Sequence, residues 1–313
     1  NEHFTGGIES TDSTTTVTSG DATLNVFSSF TRSALALADG ANLTATSGLI
    51  SDGEVTAGAG STLSMLSGQY TAGRWSFIGQ GSTLNVGAGS IMAGNIQAND
   101  AASLNFGVTN QADQNLFTAY GGNLSAPLAR VMMTNTLWLA EGQSVVKSLE
   151  LKGAQVSFSN VGAAGALTVD TLTANNSMFI INTNGKTADT VTVNQSLNGK
   201  NNSLVVVPTV SAAREATSSL PLVNAPKATE SDVFMLNPIT QRTGFHTYTP
   251  QLSMVETENS KQWRLEGFDV QQDKAALQAR KSVMDGGYKS FLTEMNNLNY
   301  RMLILFLGGI SFI

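Results

Sequence analysis

Gly60-Ser-Thr-Leu63-Ser-Met65 and Gly81-Ser-Thr-Leu84-Asn-Val86 are nearly one phrase written twice, and that phrase decides the fold. Outward from it, the phrase returns as Asp21-Ala-Thr-Leu24-Asn-Val26, Gly40-Ala-Asn-Leu43-Thr-Ala45, Ala101-Ala-Ser-Leu104-Asn-Phe106 and Gly121-Gly-Asn-Leu124-Ser-Ala126. The six leucines stand 19, 20, 21, 20 and 20 residues apart. Gly, Ala or Asp lies three residues before each leucine, Thr, Ser or Asn flanks it, and an apolar residue follows two positions later. Strand side chains alternate between faces, so Leu24 and Val26 are expected on one side and Thr23 and Asn25 on the other. A period of about twenty residues is too short for a strand plus a full-length helix and fits one turn of a coil made of short strands and tight corners. Glycine at the corner supplies the backbone freedom that the turn needs. Coils stack about 4.8 Å apart, which places Leu on Leu inside and lets Asn, Ser and Thr hydrogen-bond along the ladder outside. The competing reading, an ordinary β-sandwich, would require the shared phase of six copies to be coincidence.

Each coil should contribute further strands, with Ala34–Ala38 and Trp75–Ile78 as candidates. The register loosens after Leu124. Strand-like pieces continue at Thr136–Leu139, Ser148–Leu151, Ala166–Val169 and Met178–Ile181, and a final apolar run, Leu204–Val207, is stopped by Pro208.

Composition agrees. Only 13% of the 313 residues are charged, against about 25% in an ordinary domain, which suits a polar-neutral sheet surface better than a helical bundle. The net charge of −6 lacks the positive footprint that nucleic acid needs. No cysteine is present, which excludes disulfides, thiolate metal sites and cysteine nucleophiles and suits a chain that crosses an oxidising compartment unfolded. With His3 and His246 as the two histidines, a histidine-rich metal site is not expected, and no cofactor is implied. Asn1-Glu2-His3 opens the chain with no basic region or apolar core behind it, so the chain reads as cut from a longer protein. Met302 to Ile313 is apolar over twelve residues; a membrane helix needs about twenty.

A stack of open coils has raw edges and needs caps. After Pro208 the pattern changes. Ser211 to Asp232 reads as a long excursion, then Gly244–Glu256 and Lys261–Phe268 flank a turn at Thr257–Ser260. Trp263 and Leu265 share one face of the second strand, so the hairpin reads as a cover for the last coil. The alternative, an independent small domain, would have few large apolar residues to bury. From Gln271 onward the spacing is helical, and behind Gly286-Gly287 a single apolar stripe runs through Tyr288, Phe291, Met295, Leu298 and Met302.

Two stretches now carry a resemblance. Ala279 to Asn299, which contains Asn296-Asn297-Leu298-Asn299, resembles the end of the passenger in the serine protease autotransporters of Enterobacteriaceae. Trp263-Arg-Leu-Glu-Gly267, running on to Phe268, resembles the autochaperone region of the same family. The specific part of the match spans about 240–299, and the repeats before it fit the family's stem more generically. The resemblance implies an all-β, right-handed, single-stranded parallel β-helix of the pectin-lyase-like kind, with an autochaperone hairpin (Trp263, Leu265, Gly267, Phe268) and a short C-terminal α-helix. It divides the chain into a stem at 1–208, a cap at 209–270, a linker helix at 271–301 and an atypical apolar tail at 302–313. In the family, the Asn-Asn-Leu-Asn motif continues through a basic residue into a polar stretch and then a barrel; here Tyr300-Arg301-Met302 leads into an apolar run.

The resemblance also implies a secreted or surface protein of a Gram-negative bacterium that reaches the outside through periplasm and outer membrane by type V secretion. Its partners would be its own outer-membrane β-barrel, the outer-membrane assembly machinery and an upstream serine protease domain, and the chain itself is expected to be monomeric. No Gly-Asp-Ser-Gly motif is present and neither histidine has a triad setting, so this chain is not expected to be a protease. Self-cleavage is implied between Asn296 and Asn297. There the Asn296 amide would attack its own backbone carbonyl, close a succinimide and expel the amine of Asn297. In the family the acid–base helpers for that step are barrel residues, so this chain alone is expected to stay uncut. The leading reading is a structural stalk with an autochaperone that helps the coils fold. An adhesive or self-associating stem, with the polar ladders as binding face, is the alternative. A polysaccharide-cleaving β-helix enzyme is the third, but Asp39, Asp52, Glu54, Asp100 and Asp113 mostly adjoin corners and show no repeated pairing.

Overall fold

Short alternating segments and recurrent corners roll the chain into stacked parallel coils with three strand faces. The computed structural model describes residues 3–109, 116–159, 163–209, 218–243 and 245–275. The leucine phrase forms the first face: Asn42–Ala45, Thr62–Met65, Thr83–Gly87 and Ser103–Val108 pair in parallel, with Leu43, Leu63, Leu84 and Leu104 in one column. The second face is an eleven-stranded parallel sheet running to Phe234–Met235. The third begins with Thr14–Val17, Ala34–Leu37, Glu54–Ala57 and Arg74–Phe77. The expected all-β parallel β-helix is therefore the observed architecture.

The ends of the leucine column differ from the expectation. Leu24 pairs with Ala45, and Ala22 takes the place opposite Leu43. Val26 consequently lies beyond the strand and is 56% exposed instead of inward. Leu124 stands on the third face, opposite Ile96. The cause is the segment between Val108 and Thr118, which lengthens one coil, so that counting twenty from Leu104 lands on the wrong face. The column itself does not fade. It continues from Leu104 through Val131, Leu149, Leu172 and Leu197. The strand pieces expected after Leu124 are all present, and Pro208, expected as a stop, ends the strand Asn202–Pro208 opposite Thr183.

Large rings fill the core from the second face. Tyr120 lies between Phe106 and Trp138, at centroid distances of 5.0 and 6.4 Å. Its buried hydroxyl lies 3.0 Å from Gly94 O, and Trp138 Nε1 donates to Gly122 O at 2.9 Å, so the polar tips are satisfied at the corners. Burial also pushes the Tyr120 phenol well above its ordinary pKa.

Corner amides that have no backbone partner are taken by side chains of an adjacent coil. Ser28 Oγ accepts from Ile8 N–H, Ser33 Oγ from Ser13 N–H, Ser144 Oγ from Leu124 N–H and Ser177 Oγ from Ala154 N–H. These four hydroxyls are buried, and each belongs to the coil that follows the amide it satisfies.

Candidate functional site at the capped end

The stack changes polarity at one strand. Leu220–Pro226 lies within the stretch expected as a long excursion, and the structure corrects that reading. One edge pairs in parallel with the last long coil, Val191 with Val223 and Thr192 with Asn224. Its other edge pairs antiparallel with the hairpin, from Leu220 opposite Leu265 to Pro226 opposite Ser260. The strand hides in the sequence because Pro221 and Pro226 look like breakers. Pro226 sits at the strand end, Pro221 points outward, and the register shifts between Pro221 and Val223, so the ladder tolerates both.

The hairpin strands are His246–Glu256 and Ser260–Gln272. Trp263 and Leu265 are fully buried. The Trp263 ring meets Phe234 edge-on at 5.1 Å, and Phe234 meets Phe179 at 5.9 Å, so an aromatic chain runs from the hairpin into the coils. Trp263 Nε1 is buried with no hydrogen-bond partner among the described residues. The register shifts between Gln251 and Leu252, which leaves Glu266 as an extra residue opposite them. That bulge reverses the alternation. Phe268, paired with Pro250, then falls on the same side as Trp263 and Leu265, and its ring meets Tyr248 edge-on at 6.4 Å. Gly267, at φ 151°, occupies the adjoining bulge position.

Polar ties lock the margin. Lys261 is buried, and its ammonium donates to Thr229 O and, at 3.4 Å, to Ser231 Oγ. Arg264 donates through Nε to Ser219 Oγ at 2.7 Å and through Nη2 to Ser219 O at 2.9 Å. Hydrogen bonding from Ser253 holds the exposed Glu266 carboxyl below its ordinary range, with smaller contributions from Ser219 and the Arg264 charge. In the last coils Asn202 ties three layers together. Its Oδ1 accepts from Ser177 N–H at 3.0 Å, while Nδ2 donates to Ala174 O at 2.7 Å and Val233 O at 3.0 Å. The sequence reading missed both Asn202 and Lys261, since neither departs from its neighbours in type.

Asn296 and Asn297, the helical stripe, the apolar tail and Asp113 lie outside the described residues. Asp39 and Asp52 sit at corners and accept backbone amides of adjacent coils, from Ala59 at 2.9 Å and Arg32 at 2.7 Å. Glu54 instead stands on a strand, paired with Arg74 at 3.1 Å and Ser76 Oγ at 2.5 Å. Among the described residues no three His, Cys, Asp or Glu side chains gather as metal ligands.

No family model matches the chain. Among curated proteins it is 34% identical over 325 aligned positions to the serine protease EatA of Escherichia coli O78:H11. It is 33% identical over 326 positions both to the serine protease SepA autotransporter of Shigella flexneri and to the serine protease Pet autotransporter of Escherichia coli O44:H18. Each alignment covers 96% of this chain and 24 to 25% of the relative. The chain thus spans about a quarter of the length of the curated relatives it matches.

Proposed function

Starting from a chain that belongs with the passenger regions of the serine protease autotransporters, we propose that it is a stalk whose C-terminal hairpin initiates and caps the folding of the coils. One observation carries this reading: Leu220–Pro226 is held between the parallel stack and the antiparallel hairpin, with Trp263 buried at the junction. The hairpin takes over the edge of the third face, where an open strand would recruit other chains. It also buries a large aromatic anchor that links non-adjacent segments. Coils contact mainly their neighbours, so an end that is fixed first can pass order along the stack.

In this reading the stalk displays a serine protease domain of the whole protein and supplies no catalytic group itself. The same reading has the chain secreted or displayed on the surface of a Gram-negative bacterium, with an outer-membrane barrel and the assembly machinery as partners and Asn296-Asn297 as the junction cut when the barrel is present. Intact mass after long incubation of this chain alone should show no loss. A product beginning at Asn297 would show that the chain needs no barrel for the step.

The central test is Trp263→Ala. Truncating a buried Trp costs about 3–5 kcal/mol, so refolding yield after dilution from denaturant should fall steeply. Trp263→Phe keeps most of the apolar contact and removes a buried N–H that has no partner among the described residues, so it should refold close to normally. Normal refolding of Trp263→Ala would refute the capping role.

A further inference from the structure

The hairpin closes the edge of the third face but ends in an edge of its own. Its outer strand, His246–Glu256, is paired along its whole length with Ser260–Gln272. On its other side, residues 246–248 pair with Gln241–Thr243. From Thr249 to Glu256 that other side has no strand partner among the described residues.

Two bonds fix which backbone groups point there. Asp273 N–H donates to Phe245 O at 2.7 Å and Thr257 N–H donates to Ser260 O at 2.8 Å, so the odd-numbered residues of the outer strand turn their groups toward the hairpin partner. The alternation keeps its phase across the bulge because the extra residue, Glu266, belongs to the other strand. The even-numbered residues face the opposite way. His246 and Tyr248 meet Thr243 and Gln241, while Pro250, Leu252, Met254 and Glu256 face the open edge. Pro250 stands where a missing N–H costs no ladder bond. The N–H groups of Leu252, Met254 and Glu256 have no partner among the described residues. Such a row is a template for another strand.

An antiparallel edge can be its own complement about a two-fold axis. With Ser253 on the axis, Leu252 N–H meets Met254 O of the second copy, Met254 N–H meets Leu252 O, and Glu256 N–H meets Pro250 O. Every outward N–H from Pro250 to Glu256 then has an acceptor. Half-buried Leu252 and Met254 pack on each other on the inner side, and Gln251 meets Val255, which is 38% exposed, on the outer side. No charged residue stands between Thr249 and Val255, so no like charges are opposed. Centring on Leu252 would leave Glu256 N–H without an acceptor, because Tyr248 is already paired with Gln241. Centring on Met254 would set Leu252 against Glu256.

We propose that two copies of this chain pair edge to edge through residues 249–256, with Ser253 on the two-fold axis. The contact is about 27 Å long and about 10 Å deep, smaller than the roughly 800 Å² per partner of a standard interface. The association is therefore weak and depends on concentration. It is independent of the capping reading, since pairing is measured on the native chain and capping on refolding.

The chain has no cysteine, so single cysteines report the register directly. Ser253→Cys lies opposite itself in a non-hydrogen-bonded pair, with Cα atoms about 4.5 Å apart, within disulfide reach. Under mild oxidation at high protein concentration it should give a dimer that reductant dissolves. Gln251→Cys, two residues away on the same side, would sit about 14 Å from its copy and should yield severalfold less. Equal yields, or no dimer from Ser253→Cys, would overturn the proposal. A second measurement needs no thiol. In sedimentation velocity the parent's mean mass should rise with concentration. Met254→Pro, which removes an outward donor that makes no bond within the hairpin, should stay monomeric. A parent that stays monomeric throughout, or a Met254→Pro variant that associates as the parent does, would overturn the pairing.

Discussion

The coils around Leu63 and the coils around Leu197 put equivalent residues in one inward column by different means. Between Ala34 and Phe106 the third and first faces are separate short strands, joined by corners whose glycines, such as Gly40, Gly60 and Gly81, have positive φ. From Leu124 onward the two faces fuse into single long strands: Leu124–Thr134, Gln143–Lys152, Ala166–Asn175 and Thr190–Lys200. These bend where the register shifts, between Ala126 and Arg130 and between Val169 and Thr171. The early coils are ordered locally, one corner at a time. The late coils share long ladders with each other and, through Leu220–Pro226, with the hairpin. Damage should therefore stay small at an open early corner such as Gly40 and spread at a late strand.

Glycine substitution gives the largest contrast. Gly199 has φ 126°, and a Cβ there would stand 1.7 Å from Ala174 O, inside the backbone of the neighbouring coil. Gly40 has φ 72°, but a Cβ there would meet nothing within 4 Å. Gly40→Ala should cost about 1–2 kcal/mol, the left-handed penalty alone. Gly199→Ala should exceed about 4 kcal/mol, the range reserved for a named structural clash. Urea midpoints measure both. Equal shifts would mean that the late ladder yields as easily as an early corner.

Side-chain ties give the next contrast. Asn202→Ala leaves Ser177 N–H, Ala174 O and Val233 O without their partner in a buried corner. Each unsatisfied buried group costs about 1–3 kcal/mol. Asn123 makes a similar bond to Glu141 N–H at 2.8 Å in an exposed setting. Water can replace it, so Asn123→Ala should stay within about 0.5 kcal/mol. A loss at Asn123 equal to that at Asn202 would remove burial as the cause of the difference.

The same contrast explains what could be read beforehand. Leu43, Leu63, Leu84 and Leu104 were legible because coil length changes by no more than one residue between them. Val131, Leu149, Leu172 and Leu197 belong to the same column, but 27, 18, 23 and 25 residues separate successive members counted from Leu104, and a fixed period cannot find them. Trp263 and Leu265 were legible as an alternating pair. The side that Phe268 takes depends on the bulge at Glu266, which alternation alone does not reveal. Leu220–Pro226 stayed hidden behind its prolines. Pairing excuses them there, and pairing is a property of the fold rather than of the segment.

The smallest effect separates the regions by sign. In the early coils the Arg32 guanidinium holds the Asp12 carboxyl below its ordinary pKa, and hydrogen bonds from Ser76 and then Arg74 do the same for Glu54. Their contribution to stability is present above the unfolded pKa and is lost as pH falls through the folded one. Asp189, in the late coils, is buried. Burial raises its pKa against three opposing bonds, from Gly165 N–H at 2.7 Å, Asn182 N–H at 2.7 Å and Asn182 Nδ2 at 3.1 Å. The folded chain therefore takes up the Asp189 proton before the unfolded chain does. That contribution is fully present below the unfolded pKa and is lost as pH rises through the folded pKa. Urea midpoints of the parent, Asp12→Asn and Asp189→Asn, followed from neutral pH down to about pH 2, through the carboxylate range, should diverge. The parent's advantage over Asp12→Asn should shrink toward acid, while its advantage over Asp189→Asn should grow. Slopes of the same sign would show that the amide donors around Asp189, rather than its burial, decide where its proton goes.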